Sequence, residues 1–167
     1  GVNRISLGVQ SFRDEDLNYM NRIHTKQQSI QSIEMLKKSK IKNFSIDLIY
    51  GFPLLNKSGW VANLEKVIAL NVPHISCYCL TVEKGTALDH FIKKKKEQPL
   101  QSATGREHFL IARNMLLNYD YNHYEISNFS KKGCKSLHNK NYWNKTRYLG
   151  VGPSAHSFNG VSRRWNI

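Results

Sequence analysis

The run "NFSIDLIYGFP", residues 43–53, decides the fold class. Phe44, Ile46, Leu48 and Tyr50 alternate with Ser45, Asp47, Ile49 and Gly51, which predicts a strand with one bulky face and one small or polar face. Gly51 and Pro53 end it. Upstream, "NRISLGVQ" (3–10) repeats the pattern, with Ile5, Leu7 and Val9 on one side and Arg4, Ser6, Gly8 and Gln10 on the other. Between the two, Thr25 is placed to cap a helix from Lys26 to about Lys40, in which Ile30, Ile33 and Leu36 keep helical spacing. Downstream, Ser58 is expected to cap the helix "GWVANLEKVIAL", and "HISCYCLTV" (74–82) reads as a third strand. A longer helix is expected near Ser102–Asn118, with Phe109, Ala112, Arg113 and Leu116 in register. "YNHYEIS" (121–127) reads as a short fourth strand.

Alternating strands and helices imply an α/β fold of parallel strands joined by right-handed crossovers. A doubly wound sheet or part of a β/α barrel fits, and four strands are too few to close a barrel. A packed core would put bulky branched residues on both strand faces. Small and polar faces instead imply a cavity that holds something, or a solvated rim. Gln10 and Asp47 lie toward the carboxyl ends of their strands, where parallel α/β folds bind ligands. Arg22 follows the first strand and could pair bidentately with a ligand carboxylate, or form an internal salt bridge with Asp47.

The chain has 167 residues, 40% of them hydrophobic, enough for one domain with a real core. It begins at Gly1 within a strand-like run and stops at "SRRWNI", so both ends read as cut from a longer protein. No segment is apolar enough to span a membrane. Cys77, Cys79 and Cys134 fit no zinc or disulfide framework and read as reduced thiols of a cytoplasmic protein. Cys77 and Cys79 sit in an apolar run and are expected at buried strand positions. The net charge of +13 favours anionic partners. It is spread along the chain, and the run Lys93–Lys96 suits a solvated loop or helix end. No RNA-binding motif accompanies it, so nucleic acid is the minor reading.

The segment "SLHNKNYWNKTRYLGVGPSAHSF" (136–158) holds two histidines among aromatic rings. On a helical turn His138 shares a face with Tyr142, and Asn139 with Trp143. Such a histidine could hold a flat cofactor, ligate haem iron or simply pack. "GVGPSAH" lacks the ending of a phosphate loop and marks a tight turn carrying His156.

Taken together, "NRISLGVQSF", "NRIHT", "SIDLIYGFP", "YCLTVEKGTAL", "YEISNF", "HNKNYW" and "YLGVGPSAHSF" come in the order seen in radical S-adenosylmethionine (SAM) proteins of the oxygen-independent coproporphyrinogen III oxidase group. "TVEKGT" and "HNKNYW" resemble the haem chaperone (HemW) branch more than the oxidase (HemN) branch. The resemblance implies a partial (β/α)6 radical SAM barrel, of which this chain holds the middle and later strands. Residues 1–130 would belong to the barrel, and 131–167 would carry the HNxxYW segment into a truncated C-terminal region. Gln10, Arg22, Asp47 and Thr81 match the family's SAM contacts. His138, Asn139, Tyr142 and Trp143 fill HNxxYW, which the family links to haem. The family's CxxxCxxC motif is absent. The [4Fe–4S] ligands would lie upstream, and no metal ligand or catalytic residue is assigned here. The implied function is binding of haem and SAM, with delivery of haem to recipient haem proteins. The alternative is the oxidase reaction, radical decarboxylation of porphyrinogen propionates to vinyl groups in haem biosynthesis.

Overall fold

Three parallel strands form the centre of the fold: β1 (Ile5–Gln10), β2 (Phe44–Tyr50) and β3 (His74–Cys79). Two short strands, β4 (Asn122–His123) and β5 (Asn128–Ser130), complete a sheet in the order β1-β2-β3-β5-β4. The crossovers are α2 (Lys26–Lys38), α3 (Lys57–Ala69) and α5 (Ser102–Asn118), with shorter helices α1 (Asp14–Tyr19) and α4 (Ala87–Lys93) beside them. The structure, a computed structural model, describes residues 1–167. It divides them into two compact units, 1–134 and 135–167.

Local chemistry sets most of these boundaries. Thr25 starts α2 with a reciprocal cap: its Oγ1 accepts from the Gln28 amide at 3.3 Å and its amide donates to Gln28 Oε1 at 2.9 Å. Helix α3 is capped by Asn56, not by Ser58. Asn56 Oδ1 accepts from the Gly59 amide at 2.8 Å, and the Ser58 hydroxyl donates to the same oxygen at 2.9 Å. In α5 the buried row is Gly105, His108, Ala112 and Leu116, while Arg113 is exposed. "YNHYEIS" supplies only the two residues of β4, and β5 runs antiparallel to β3. Lys93 ends α4, so the lysine run is a helix end.

Register explains the sheet's two faces. Leu7 stands opposite Ile46, Leu48 opposite Cys77 and Ile75 opposite Phe129. This bulky face belongs to the main core, with Ile33 of α2, Trp60, Leu64 and Val67 of α3, and Ala112 and Leu116 of α5. Trp60 is wholly buried, and truncating such a ring typically costs about 3–5 kcal/mol. Its indole Nε1 donates to the His108 carbonyl at 2.8 Å, while the Gly51 amide donates to His108 Nδ1 at 3.3 Å. His108 must therefore carry its ring proton on Nε2, and burial pushes its pKa down, which holds it neutral. Gly51 has φ +85, and a Cβ there would stand 2.8 Å from Cys79 Sγ, so only glycine fits this turn.

On the opposite face two polar rows cross the strands. One runs Ser6, Ser45, His74, Ser130, and the other Gly8, Asp47, Ser76, Asn128. The second unit holds α6 (Leu137–Trp143) and the hairpin β6 (His156–Phe158) and β7 (Arg163–Trp165).

Candidate functional site

The polar face is wired through its small hydroxyls. Ser45 Oγ donates to Ser6 Oγ at 2.9 Å, and Ser6 Oγ lies 3.1 and 3.3 Å from the two Asp47 oxygens. His74 Nε2 lies 2.7 Å from the Tyr124 hydroxyl. Burial, with a smaller contribution from the Arg4 guanidinium, pushes the His74 pKa down to about 3, so the ring is neutral. His74 Nδ1, Asn128 Oδ1 and Ser130 Oγ are buried with no partner among the chain's own groups, so this face is not closed upon itself.

Gln10 approaches the second row from the end of β1. Gln10 ends β1 with φ +65, where the register slips by one residue, so it leaves the simple alternation of the strand. Its side chain folds back over Gly8: the amide Nε2 lies 2.7 Å from where a Gly8 Cβ would stand. Gly8 is the register partner of Asp47, so an amide and a carboxylate face one spot that a larger residue at position 8 would fill.

Arg22 does not pair with Asp47, which takes its hydrogen bonds from Ser6. Arg22 instead lines a cavity of about 620 Å³ at the carboxyl edge of the strands. Ile49 and Leu80 form its sheet wall, and Thr86, Leu88 and Phe91 reach it from α4 and its cap. A largely apolar cavity of this size, lined by Arg22 and also by Asn21 and Glu97, suits an organic ligand bearing charged groups, a carboxylate among them. Thr81 is exposed and follows Leu80, its hydroxyl 3.4 Å from Glu83 Oε1. Of the site residues named from the sequence only Arg22 lines this cavity; Gln10, Asp47 and Thr81 do not, and the apolar wall was missed. The only sequence signal for α4 was Thr86 three residues before Asp89, a cap pattern the structure uses.

The second unit carries an aromatic chain. Ser136 caps α6 by accepting from the Asn139 amide at 3.3 Å. The helix sets the His138 ring 5.0 Å from that of Tyr142, edge to face. Tyr142 meets Tyr148 at 5.0 Å, and Tyr148 meets Phe158 at 6.1 Å. His138 and Trp143 are exposed, and Asn139 is half-buried. His156 of β6 lies 6.2 Å from Trp165 of β7, ring to ring.

A cluster site is not formed by these residues. Cys77 is buried and its thiol is pushed up by burial, Cys79 is exposed at the strand end, and Cys134 is half-buried. The exposure of Cys79 corrects the expectation that both strand cysteines are buried. No three metal-binding side chains come together.

The sequence pattern of the Radical SAM superfamily matches residues 1–67. The haem chaperone HemW of Lactococcus lactis is 36% identical over 169 residues, covering 99% of this chain and 44% of the relative. HemW of Bacillus subtilis is 32% identical over the whole chain and 44% of its own length. This chain is thus similar to HemW proteins along nearly its whole length and carries part of the radical SAM pattern. Coproporphyrinogen III oxidase (HemN) from Escherichia coli, described as a radical SAM enzyme, superposes with a TM-score of 0.76 at 20% identity. That match covers 98% of this chain and 40% of HemN, and it establishes a shared α/β fold. The chain spans less than half the length of the curated relatives it matches. No helix in it is long and apolar enough to cross a membrane.

Proposed function

We propose that the intact protein is a haem chaperone of the HemW kind, acting in the cytoplasm, which binds SAM and haem and passes haem to a recipient haem protein. The observation that carries this reading is the fully matched HNxxYW helix with His138 and Tyr142 in ring contact, in a chain whose relatives are named haem chaperones. In this reading the exposed His138 meets the haem, and Asn139, Tyr142 and Trp143 frame it. SAM occupies the cavity at the strand edge, where Arg22 pairs with the methionine carboxylate. Gln10 and Asp47 take polar groups of the ligand, and Thr81 adds a contact through its backbone. The methionine end of SAM, a carboxylate beside an ammonium, suits a cavity lined by both Arg22 and Glu97 among apolar side chains. The [4Fe–4S] cluster would be held by residues other than these, and with SAM it supplies one-electron chemistry when bound.

Titration of the full-length protein with haem tests the reading. A Soret band is expected that weakens and shifts in His138→Ala. An unchanged titration removes His138 from the site. Anaerobic formation of protoporphyrinogen from coproporphyrinogen III would replace the chaperone reading with the oxidase.

A further inference from the structure

The second unit is unusual in charge. Residues 135–167 contain Lys135, Lys140, Lys145, Arg147, Arg163 and Arg164 and not one aspartate or glutamate. No carboxylate side chain within the unit can neutralise these cations. Two of them, Lys145 and Arg163, line a cavity of about 400 Å³ whose other walls include Tyr142, Tyr148, Phe158 and Val161.

The fold explains how they meet. Tyr148 bridges Phe158 with two backbone hydrogen bonds of 2.9 Å, and Phe158 pairs in register with Arg163. Directly opposed residues share a sheet face, so two rings and a guanidinium form one cross-strand row. Lys145 follows α6 with φ 54, its amide 3.2 Å from the Tyr142 carbonyl. This left-handed residue turns the chain from Tyr142 toward Tyr148.

Aromatic and aliphatic walls select a flat apolar body, and two cations without counter-charges select a molecule carrying two anionic groups. We infer that this cavity binds the ring of a porphyrin dicarboxylate against Tyr142, Tyr148 and Phe158, with Lys145 and Arg163 holding its two carboxylates. The inference rests on the haem-binding reading and deepens it. The ligand is recognised by its carboxylates, so the metal-free ring binds as well, and His138, in contact with Tyr142, acts on what the cavity has already captured.

The test uses full-length protein and fluorescence titration with protoporphyrin IX and its dimethyl ester, neither of which has iron to ligate. Each of Lys145→Gln and Arg163→Gln is expected to weaken protoporphyrin IX binding about tenfold. The ester should bind all variants alike, which also shows that they fold. Lys145→Arg should restore affinity, and wild-type binding of the acid, not the ester, should weaken with salt. Equal binding of the acid by wild type and the double variant overturns the assignment while leaving haem binding by His138 standing. If wild type binds neither haem nor porphyrin, both readings fall. If the double variant loses single-stranded RNA binding and keeps porphyrin binding, the charge serves nucleic acid and the assignment is wrong.

Discussion

Lowering the pH from 7.5 to 5.0 should destabilise the sheet through His74 alone by about 2 kcal/mol. Its folded pKa is about 3 against an ordinary value of 6.5, because the ring is 1% exposed and the Arg4 guanidinium opposes a second positive charge. A base with a depressed folded pKa takes up its proton on unfolding. Its contribution is therefore complete above pH 6.5 and is lost progressively as pH falls toward 3. At pH 5 the unfolded ring is about 97% protonated and the folded ring almost neutral, and RT ln of the ratio of binding polynomials gives about 2 kcal/mol. The result is the same for any folded pKa up to about 4. Urea unfolding, followed by the emission of the buried Trp60, reads this as a midpoint shift of roughly 1 M at a typical slope. His74→Gln keeps a polar group beside the Tyr124 hydroxyl and cannot titrate, so its loss over the same interval should be smaller by that amount. Equal losses in the two proteins would refute the claim that His74 is buried neutral.

Arg22→Ala should weaken SAM binding by reconstituted full-length protein roughly 10- to 100-fold, the value of a charge-assisted pair, with Arg22→Lys between the two. Calorimetric titration checks this, and an unchanged affinity would separate the cavity from SAM. Asn63 is buried, accepts from the Phe12 amide at 2.7 Å and donates to Ser11 Oγ at 3.0 Å. Asn63→Ala orphans that amide and should cost about 2 kcal/mol in urea unfolding; a loss below about 0.5 kcal/mol would show that solvent replaces the side chain.

What the sequence revealed follows the physics of each element. Helix α5 was legible to its ends because 17 residues carry a repeating buried row, and β2 because Phe44, Ile46, Leu48 and Tyr50 keep period two, broken on the other face only by Ile49. The capping box at Thr25 gave α2 its start. Helix α1 was not legible: in six residues it buries only Asp16 and Leu17, and a buried aspartate gives no apolar period. Strand β5 has a single apolar residue, Phe129, and its direction depends on the turn that precedes it. Asn56 and Ser58 are equally good caps by type, and the choice was made when the Ser58 hydroxyl bonded to Asn56. Gln10, Arg22 and Asp47 were readable as polar groups near the strand ends, but the left-handed turn at Gln10 and the cavity wall that Ile49, Leu80 and Phe91 form beside Arg22 depend on tertiary packing.

The contacts joining Trp60, His108 and Gly51 constrain how this sequence can drift. The indole packs on the His108 ring with centroids 6.1 Å apart, the Gly51 amide needs an unprotonated Nδ1, and the turn at Gly51 has no room for a side chain. Loss of the imidazole strands a buried amide, and loss of the indole opens a void beside the imidazole. The three positions therefore act as one heritable unit: descendants of this chain should keep all three or change them in concert, and a double-mutant cycle between 60 and 108 should be strongly non-additive.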